Sequence, residues 1–445
     1  MKDLTQGSIP KHIVAMALPV MIGMLLQTAY FVVDLYFVAK LGDAAVAGVS
    51  AAGNVTFIVM ALTQMVGVGT VALISHAVGR QDQPDANHVF NQSVVLSGAC
   101  AVLTMIGGFG FSGAVMGEVG ADAATRDAGV TYLMWYTPGL ALQFAMVVMG
   151  SALRGTGIVK PSMAVQAITV VLNAILAPIF IAGWGTGHPM GVAGAGLASS
   201  IAIAIGVAML ALYFLRLEHY VGFDVAQWAP KFSTWRRMLN IGLPAGGEFL
   251  LMGVFGAVVY WIIRDFGAAA QAGFGIGSRI MQCVFLPAMA IAFAASPIAG
   301  QNFGAKNAAR VRETFRSAAF TCAVVMLALT LFCQWQGLAM MRFFTTDEAV
   351  VHVGDQFLGI ISWNFLASGV VFTASSLFQA MGNTWPSLIS TSLRLVIFAI
   401  PAIWLSMQPG FTLVQVWYLS VCTTTLQMLL SLWLLRGEMR KRLVF

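Results

Sequence analysis

The chain has 445 residues, 59% of them hydrophobic and only 9% charged, with a mean hydropathy of +0.85. Soluble proteins carry about 25% charged residues, so this composition excludes a soluble domain and describes a chain that crosses a membrane many times. The formal charge of +6 is acquired in a way that excludes nucleic acid as its partner, as the distribution of basic residues shows.

Each crossing needs about 20 apolar residues. Twelve segments qualify: roughly 14–39, 47–74, 90–114, 128–152, 162–183, 191–215, 237–263, 271–299, 315–338, 352–378, 386–406 and 412–435. The polar start MKDLTQGSIPK leads into an apolar run longer than the core of a cleavable signal, so the first run is expected to stay in the membrane. With the N-terminus inside, seventeen of the 23 basic residues fall in inner loops and tails and four in outer loops; Arg279 and Arg394 lie within spans. That bias places both termini on the cytoplasmic side of the cytoplasmic membrane and makes the basic surplus a topology signal. The five cysteines all sit in apolar segments without metal-ligand spacing, and they read as inert thiols.

The first span, LPVMIGMLLQTAYFVVDLYFVAKLG, carries one carboxylate, Asp34. A charge at mid-bilayer costs about 2.5–3.5 kcal/mol, so such an acid marks a functional site unless a structural partner neutralises it. Gln27, Tyr30 and Asp34 recur at i, i+3 and i+7 and so share one helical face. Pro19 removes a backbone donor near the start of this helix and is its expected kink.

The chain then repeats itself at one constant offset. Leu18-Pro19 pairs with Leu243-Pro244, Gly42 with Gly267, Gly79 with Gly304, Gly157 with Gly382 and Pro161 with Pro386. Six spans per copy is even, so both copies enter the membrane the same way round. The expected fold is an all-α membrane protein of twelve transmembrane helices in two six-helix lobes, related by a pseudo-two-fold axis along the membrane normal. The N-lobe takes residues 1–215, a cytoplasmic linker residues 216–236, and the C-lobe residues 237–445.

The C-lobe has its own intramembrane charges. Counted along their helices at about 1.5 Å per residue, Glu248, Arg279 and Arg394 all come near one depth. One reading is an ion-pair network that holds their helices together, since buried charges normally pair. The other is a second coupling or substrate site. Gly191, Ala195 and Ser199, at i, i+4 and i+8, read as close helix packing.

The segments SIPKHIVAMALP, QTAYFVVDLYFVAKLG, ALRGTG-IVKP, VLNAILAP, IGLP and PIAGQNFG together resemble the MATE multidrug and toxin extrusion transporters, nearest to their DinF-like branch, over essentially the whole chain. The resemblance implies export of drugs or toxins coupled to inward H⁺ or Na⁺. It also implies an N-lobe cation site. Asp34 falls on the family's helix-1 aspartate with Gln27 and Tyr30 on the same face, Tyr132 on the helix-4 tyrosine, Asn173 on the helix-5 asparagine, and Ser199 on a helix-6 hydroxyl position. Two departures stand out. Ala177 occupies a position where many relatives have an acid, and the C-lobe lacks the carboxylates of the NorM-like branch, with Met252 at the helix-7 position.

The expected function is therefore a secondary active antiporter that exports drug-like organic cations for H⁺ by alternating access. Na⁺ is the other candidate ion at Asp34 and Asn173. No cofactor or bound metal is expected, and the partners are small-molecule substrates and the bilayer around a monomer. A flippase of lipid or lipid-linked substrates with the same fold is the alternative. An enzyme is disfavoured, because the six histidines are scattered and no HExxH or nucleotide loop occurs.

Overall fold

Inside a bilayer the backbone has no water to bond to, so segments of this hydropathy are stable as helices that satisfy their own polar groups. The computed structural model describes residues 1–120 and 122–444, which contain helices and turns and no strand. The helices are α1 (Ile9–Ala39), α2 (Asp43–Gly79), α3 (Gln83–Val119), α4 (Ala123–Gly155), α5 (Lys160–Ala182), α6 (Val192–Arg216), α7 (Phe232–Ile263), α8 (Ala268–Gly304), α9 (Ala308–Phe344), α10 (Glu348–Ile361), α11 (Asn364–Ala380), α12 (Trp385–Ser406) and α13 (Leu413–Arg442). Eleven are long and apolar enough to cross a membrane alone, and α10 with α11, bent by 55°, make a twelfth crossing. The protein is an integral membrane protein.

The twelve expected spans all appear, with one difference of substance. The tenth is broken at residues 362–363. Its backbone is re-satisfied from α9, where Thr330 Oγ1 donates to the Ser362 carbonyl at 2.9 Å and Gln334 Nε2 donates to the Gly359 carbonyl. A second irregularity lies in α4 at Pro138. There the Ser200 hydroxyl of α6 accepts from Gly139 N–H at 3.1 Å and donates to the Trp135 carbonyl at 2.7 Å. The serine thus bridges a donor and an acceptor four residues apart, a repair at the site of a proline.

The repeat is written into the backbone. The paired glycines Gly42 and Gly267 both take positive φ (106° and 88°), as do the paired Gln81 and Lys306 (59° and 57°). Asp82 caps α3 by accepting from Asp85 N–H, and its counterpart Asn307 caps α9 by accepting from Arg310 N–H. Identical turns at a fixed offset require the two copies to share one fold.

By packing, the chain divides into two compact units. Unit 1 comprises Met1–Asp3 and Ile22–Gly246; unit 2 comprises Leu4–Met21 and Gly247–Phe445. Helices α1 and α7 are therefore shared, each changing unit two residues after its own proline, Pro19 or Pro244. Both helices continue through that proline without a break.

Within unit 1, α4 packs on α2, α3 and α6, and α5 on α6. The first half of α7 lies against α2 through glycines. A Cβ on Gly242 would collide with the Met65 carbonyl oxygen, and one on Gly69 would come within 2.5 Å of the Met238 carbonyl oxygen. The polar segment after α6 is stitched down on α3. Asn91 accepts from Asp224 N–H at 2.8 Å and from the Trp228 indole at 3.0 Å, while Gln92 donates to the Gln227 and Ala229 carbonyls.

Within unit 2, α8 packs on α9, α10 and α11, and α13 on α11 and α12. The start of the chain is anchored here. Leu4 donates its N–H to Gln301 at 2.9 Å, and Arg310 donates to the carbonyls of Leu4 and Gly7.

The α2–α7 contact makes a direct prediction. Gly242→Ala should lower stability by about 1–3 kcal/mol or more, because backbone atoms must move to admit the methyl. Gly256→Ala, in open space on the same helix, should leave stability unchanged or raise it by up to about 1 kcal/mol. Thermal melting of the two variants in one detergent checks both.

Candidate functional site

In unit 1, the face of α1 that carries Gln27, Tyr30 and Asp34 is turned toward polar side chains of α4, α5 and α6. Each of the three finds a neighbour. Gln27 accepts a hydrogen bond from Gln166 of α5 at 2.9 Å. The Tyr30 and Ser199 hydroxyls share one at 2.5 Å. Asp34 is 6% exposed and has Asn173 of α5 beside it, with Tyr30, Tyr132 and Tyr136 within its electrostatic reach. The rings of Tyr132 and Tyr136 lie 5.2 Å apart.

The carboxylate is nevertheless under-satisfied. Asp34 Oδ1 and both polar atoms of Asn173 are buried with no hydrogen-bond partner among the described residues. Buried polar atoms without partners cost about 1–3 kcal/mol each, so this pair is held at an energetic cost. One turn after Asn173, Ala177 is fully buried and puts a methyl on this part of α5. Asp34 is thus the acid of this cluster, and among the described residues no ion pair involves it.

Close helix contact positions these groups. A Cβ on Gly196 would meet the Tyr132 carbonyl at 2.8 Å, and one on Gly194 would meet Phe180 backbone at 2.5 Å, so α6 is pressed against both α4 and α5. Pro19 lies outside this cluster, in the half of α1 that packs with unit 2.

Unit 2 holds a different site. Glu248 Oε2 accepts from Ser387 at 2.8 Å and Ser375 at 3.1 Å, and Oε1 accepts from Thr391 at 3.4 Å. Thr391 in turn accepts from Gln427 at 3.2 Å. The ion-pair network expected among Glu248, Arg279 and Arg394 does not form: among the described residues no ion pair involves any of the three. The reason is that three hydroxyls occupy the carboxylate. Arg394 instead stacks on Phe255, 4.3 Å from the ring centroid, and Arg279 is exposed.

Sequence reasoning missed several of these partners. Tyr136 was signalled by its i+4 spacing from Tyr132. Gln166 and Ser387 are single polar residues in apolar surroundings, Ser375 and Thr391 lie in the short hydroxyl runs Ser375-Ser376 and Ser390-Thr391-Ser392, and nothing local separates any of them from ordinary packing residues.

Twelve crossings built from a repeat, with an acid held among polar side chains in each unit, define a polytopic membrane protein of the architecture used by secondary transporters. The chain belongs to the MatE family, whose pattern matches residues 19–179 and again 244–405. The two matches begin at Pro19 and Pro244, the same pair of prolines that marks the repeat. Among named relatives, the chain is 26% identical over 418 residues to a probable multidrug resistance protein, YpnP, of Bacillus subtilis, covering 93% of this chain and 90% of that one. It is 26% identical over 374 residues to the multidrug export protein MepA of Staphylococcus aureus, covering 84% and 82%. Its fold matches a MOP-superfamily transporter from Pyrococcus furiosus with a TM-score of 0.92 at 24% identity, covering 99% and 98%. An outward-facing multidrug resistance MATE family transporter matches with a TM-score of 0.91, also at 24% identity and with the same coverage.

The Glu248 cage is testable. Ser387→Ala deprives this enclosed carboxylate of its shortest bond and should lower stability by about 1–3 kcal/mol. Glu248→Gln keeps an acceptor for these hydroxyls and should cost less. Melting temperatures of the purified variants give the comparison.

Proposed function

We propose that the chain is a secondary active antiporter of the cytoplasmic membrane that exports drug-like organic cations in exchange for protons. It works as a monomer, by alternating access, with both termini inside. The observation that carries this reading is Asp34, a buried and partly unpaired carboxylate with no second acid beside it among the described residues. One acid suffices to carry a proton. The multidrug names of the YpnP and MepA relatives support the class of substrate.

In this mechanism a proton arriving at Asp34 removes the charge that Asn173 and the three tyrosines face. The Tyr30–Ser199 and Gln27–Gln166 bonds then reorganise along the same face of α1. The change is passed down the helix to Pro19, where the ladder lacks a donor and bends most readily. Bending expels the substrate, and loss of the proton resets the site.

The driving force is adequate. One charge moving through 100 mV is worth about 2.3 kcal/mol, and one pH unit adds about 1.4 kcal/mol. Together they sustain a gradient of several hundredfold for a neutral substrate. A monovalent cation exchanged for one proton moves no net charge, so only the pH difference drives it, at about tenfold per unit.

Sodium is the second reading, favoured by one observation. Asp34 Oδ1 and Asn173 Oδ1 are both oxygens without partners, the ligand type a hard cation takes. Purified protein in liposomes loaded with a fluorescent organic cation separates the two. Transport driven by a pH gradient alone and lost in Asp34→Asn is the expected result. Transport that requires Na⁺ would replace the proton with sodium, and proton-driven transport that survives Asp34→Asn would defeat the assignment of Asp34.

A further inference from the structure

Unit 2 holds a partly open cavity of about 440 Å³ that the Asp34 mechanism does not use. Pockets of about 300–1,000 Å³ hold drug-sized molecules. Among its lining residues Phe255 of α7 and Phe285 of α8 are half-buried and present ring surface, while Phe398 and Trp417 are fully buried. These rings are braced: Phe255 and Phe398 lie 4.7 Å apart, and Trp417 stacks on Phe274 at 5.7 Å and 9°. Flat, rigid walls of this kind suit an aromatic guest.

The polar groups of the cavity have an unusual balance. Of its formal charges, Arg279 and Arg394 are positive and Glu248 is negative. Glu248 has both oxygens engaged by Ser375, Ser387 and Thr391, and neither arginine has an ion-pair partner among the described residues. Four lining residues carry buried polar atoms with no partner: Arg394 Nε, Trp417 Nε1, Ser278 Oγ and Asn364 Oδ1. Three of these four atoms can donate a hydrogen bond. Arg394 is half-buried with its Nε enclosed, and a cation without a counter-charge is costly in the membrane.

The geometry points to this cavity as a binding site for an aromatic organic anion, whose carboxylate or sulfonate is held by Arg394 and whose ring lies between the aromatic walls. The anion supplies the counter-charge that Arg394 lacks among the described residues. Arg279, exposed at the cavity lining, adds attraction on entry. Glu248 does not oppose the anion by capturing Arg394, because it is tied to hydroxyls one helical turn away at Thr391. The site rests on and deepens the transport reading above by adding a second substrate charge class, one that the Asp34 cluster of unit 1 disfavours.

Three probes with one ring system test it: 2-naphthoate, 2-naphthamide and 2-naphthylmethylammonium. Binding is measured by equilibrium dialysis against the full chain in lipid nanodiscs, with empty discs subtracted and no ion gradient imposed. Naphthoate should bind about tenfold more tightly than the amide, the worth of a charge-assisted hydrogen bond, and the ammonium probe should bind weakest. Arg394→Gln should abolish the preference for naphthoate while shifting the amide less than about threefold. Should that variant not fold, Arg279→Gln should weaken naphthoate selectively and leave the amide unchanged. Equal binding of all three probes, tightest binding of the ammonium, or a naphthoate preference that survives both substitutions would overturn the assignment. Failure of cation transport in liposomes with an intact naphthoate preference would overturn the antiporter reading and leave this site standing; the converse result would overturn this site alone.

Discussion

A bilayer offers no water to a stranded polar group, and the whole molecule is arranged around that constraint. Where a helix is interrupted, a side chain from a neighbour completes it: Ser200 enters α4 at Pro138, and Thr330 and Gln334 cover the break between α10 and α11. Against this thoroughness, the few buried polar atoms left alone gain meaning. Asp34 and Asn173 are left open in unit 1, and Arg394 with its neighbours in unit 2. Other unpartnered buried atoms lie on Tyr220, Gln227 and Trp235, between the end of α6 and the start of α7.

The two copies share a backbone and differ in their polar chemistry. The counterpart of Asp34 is Val259, and the counterpart of Glu248 is Gly23. Along the repeated helix the two acid positions are therefore about 16 Å apart, at the rise of an α-helix. One fold duplicated thus carries its buried acids at different points of its repeat. Unit 1 has a lone acid among tyrosines. Unit 2 has an acid capped by hydroxyls and an aromatic cavity with unpaired cations.

Much of this was legible in the chain. The twelve spans follow from runs of about 20 apolar residues, and the repeat follows from Gly and Pro at fixed offset, because turns at Gly42 and Gly267 need the same left-handed backbone. The face of Gln27, Tyr30 and Asp34 follows from helical spacing alone. Other features were not legible. Glu248, Arg279 and Arg394 come near one depth by counting, yet depth says nothing of azimuth, and three hydroxyls from α11 and α12 reach the glutamate first. The linker reads as a polar tether, but Asn91 and Gln92 bind its backbone to α3, a match that depends on where α3 ends up.

The sequence by itself determined the class of protein, the number of crossings, the repeat and the face on which Asp34 lies, because hydropathy and helical periodicity are local properties. Only the tertiary structure decided which polar residues meet. It brought Ser199 to Tyr30 and Gln166 to Gln27, gave Glu248 hydroxyls in place of arginines, and left Arg394 against Phe255 beside an open cavity. Those pairings are fixed by how helices distant in sequence rotate and pack, through close approaches such as Gly196 on Tyr132, and periodicity along one helix carries no information about its neighbour's rotation.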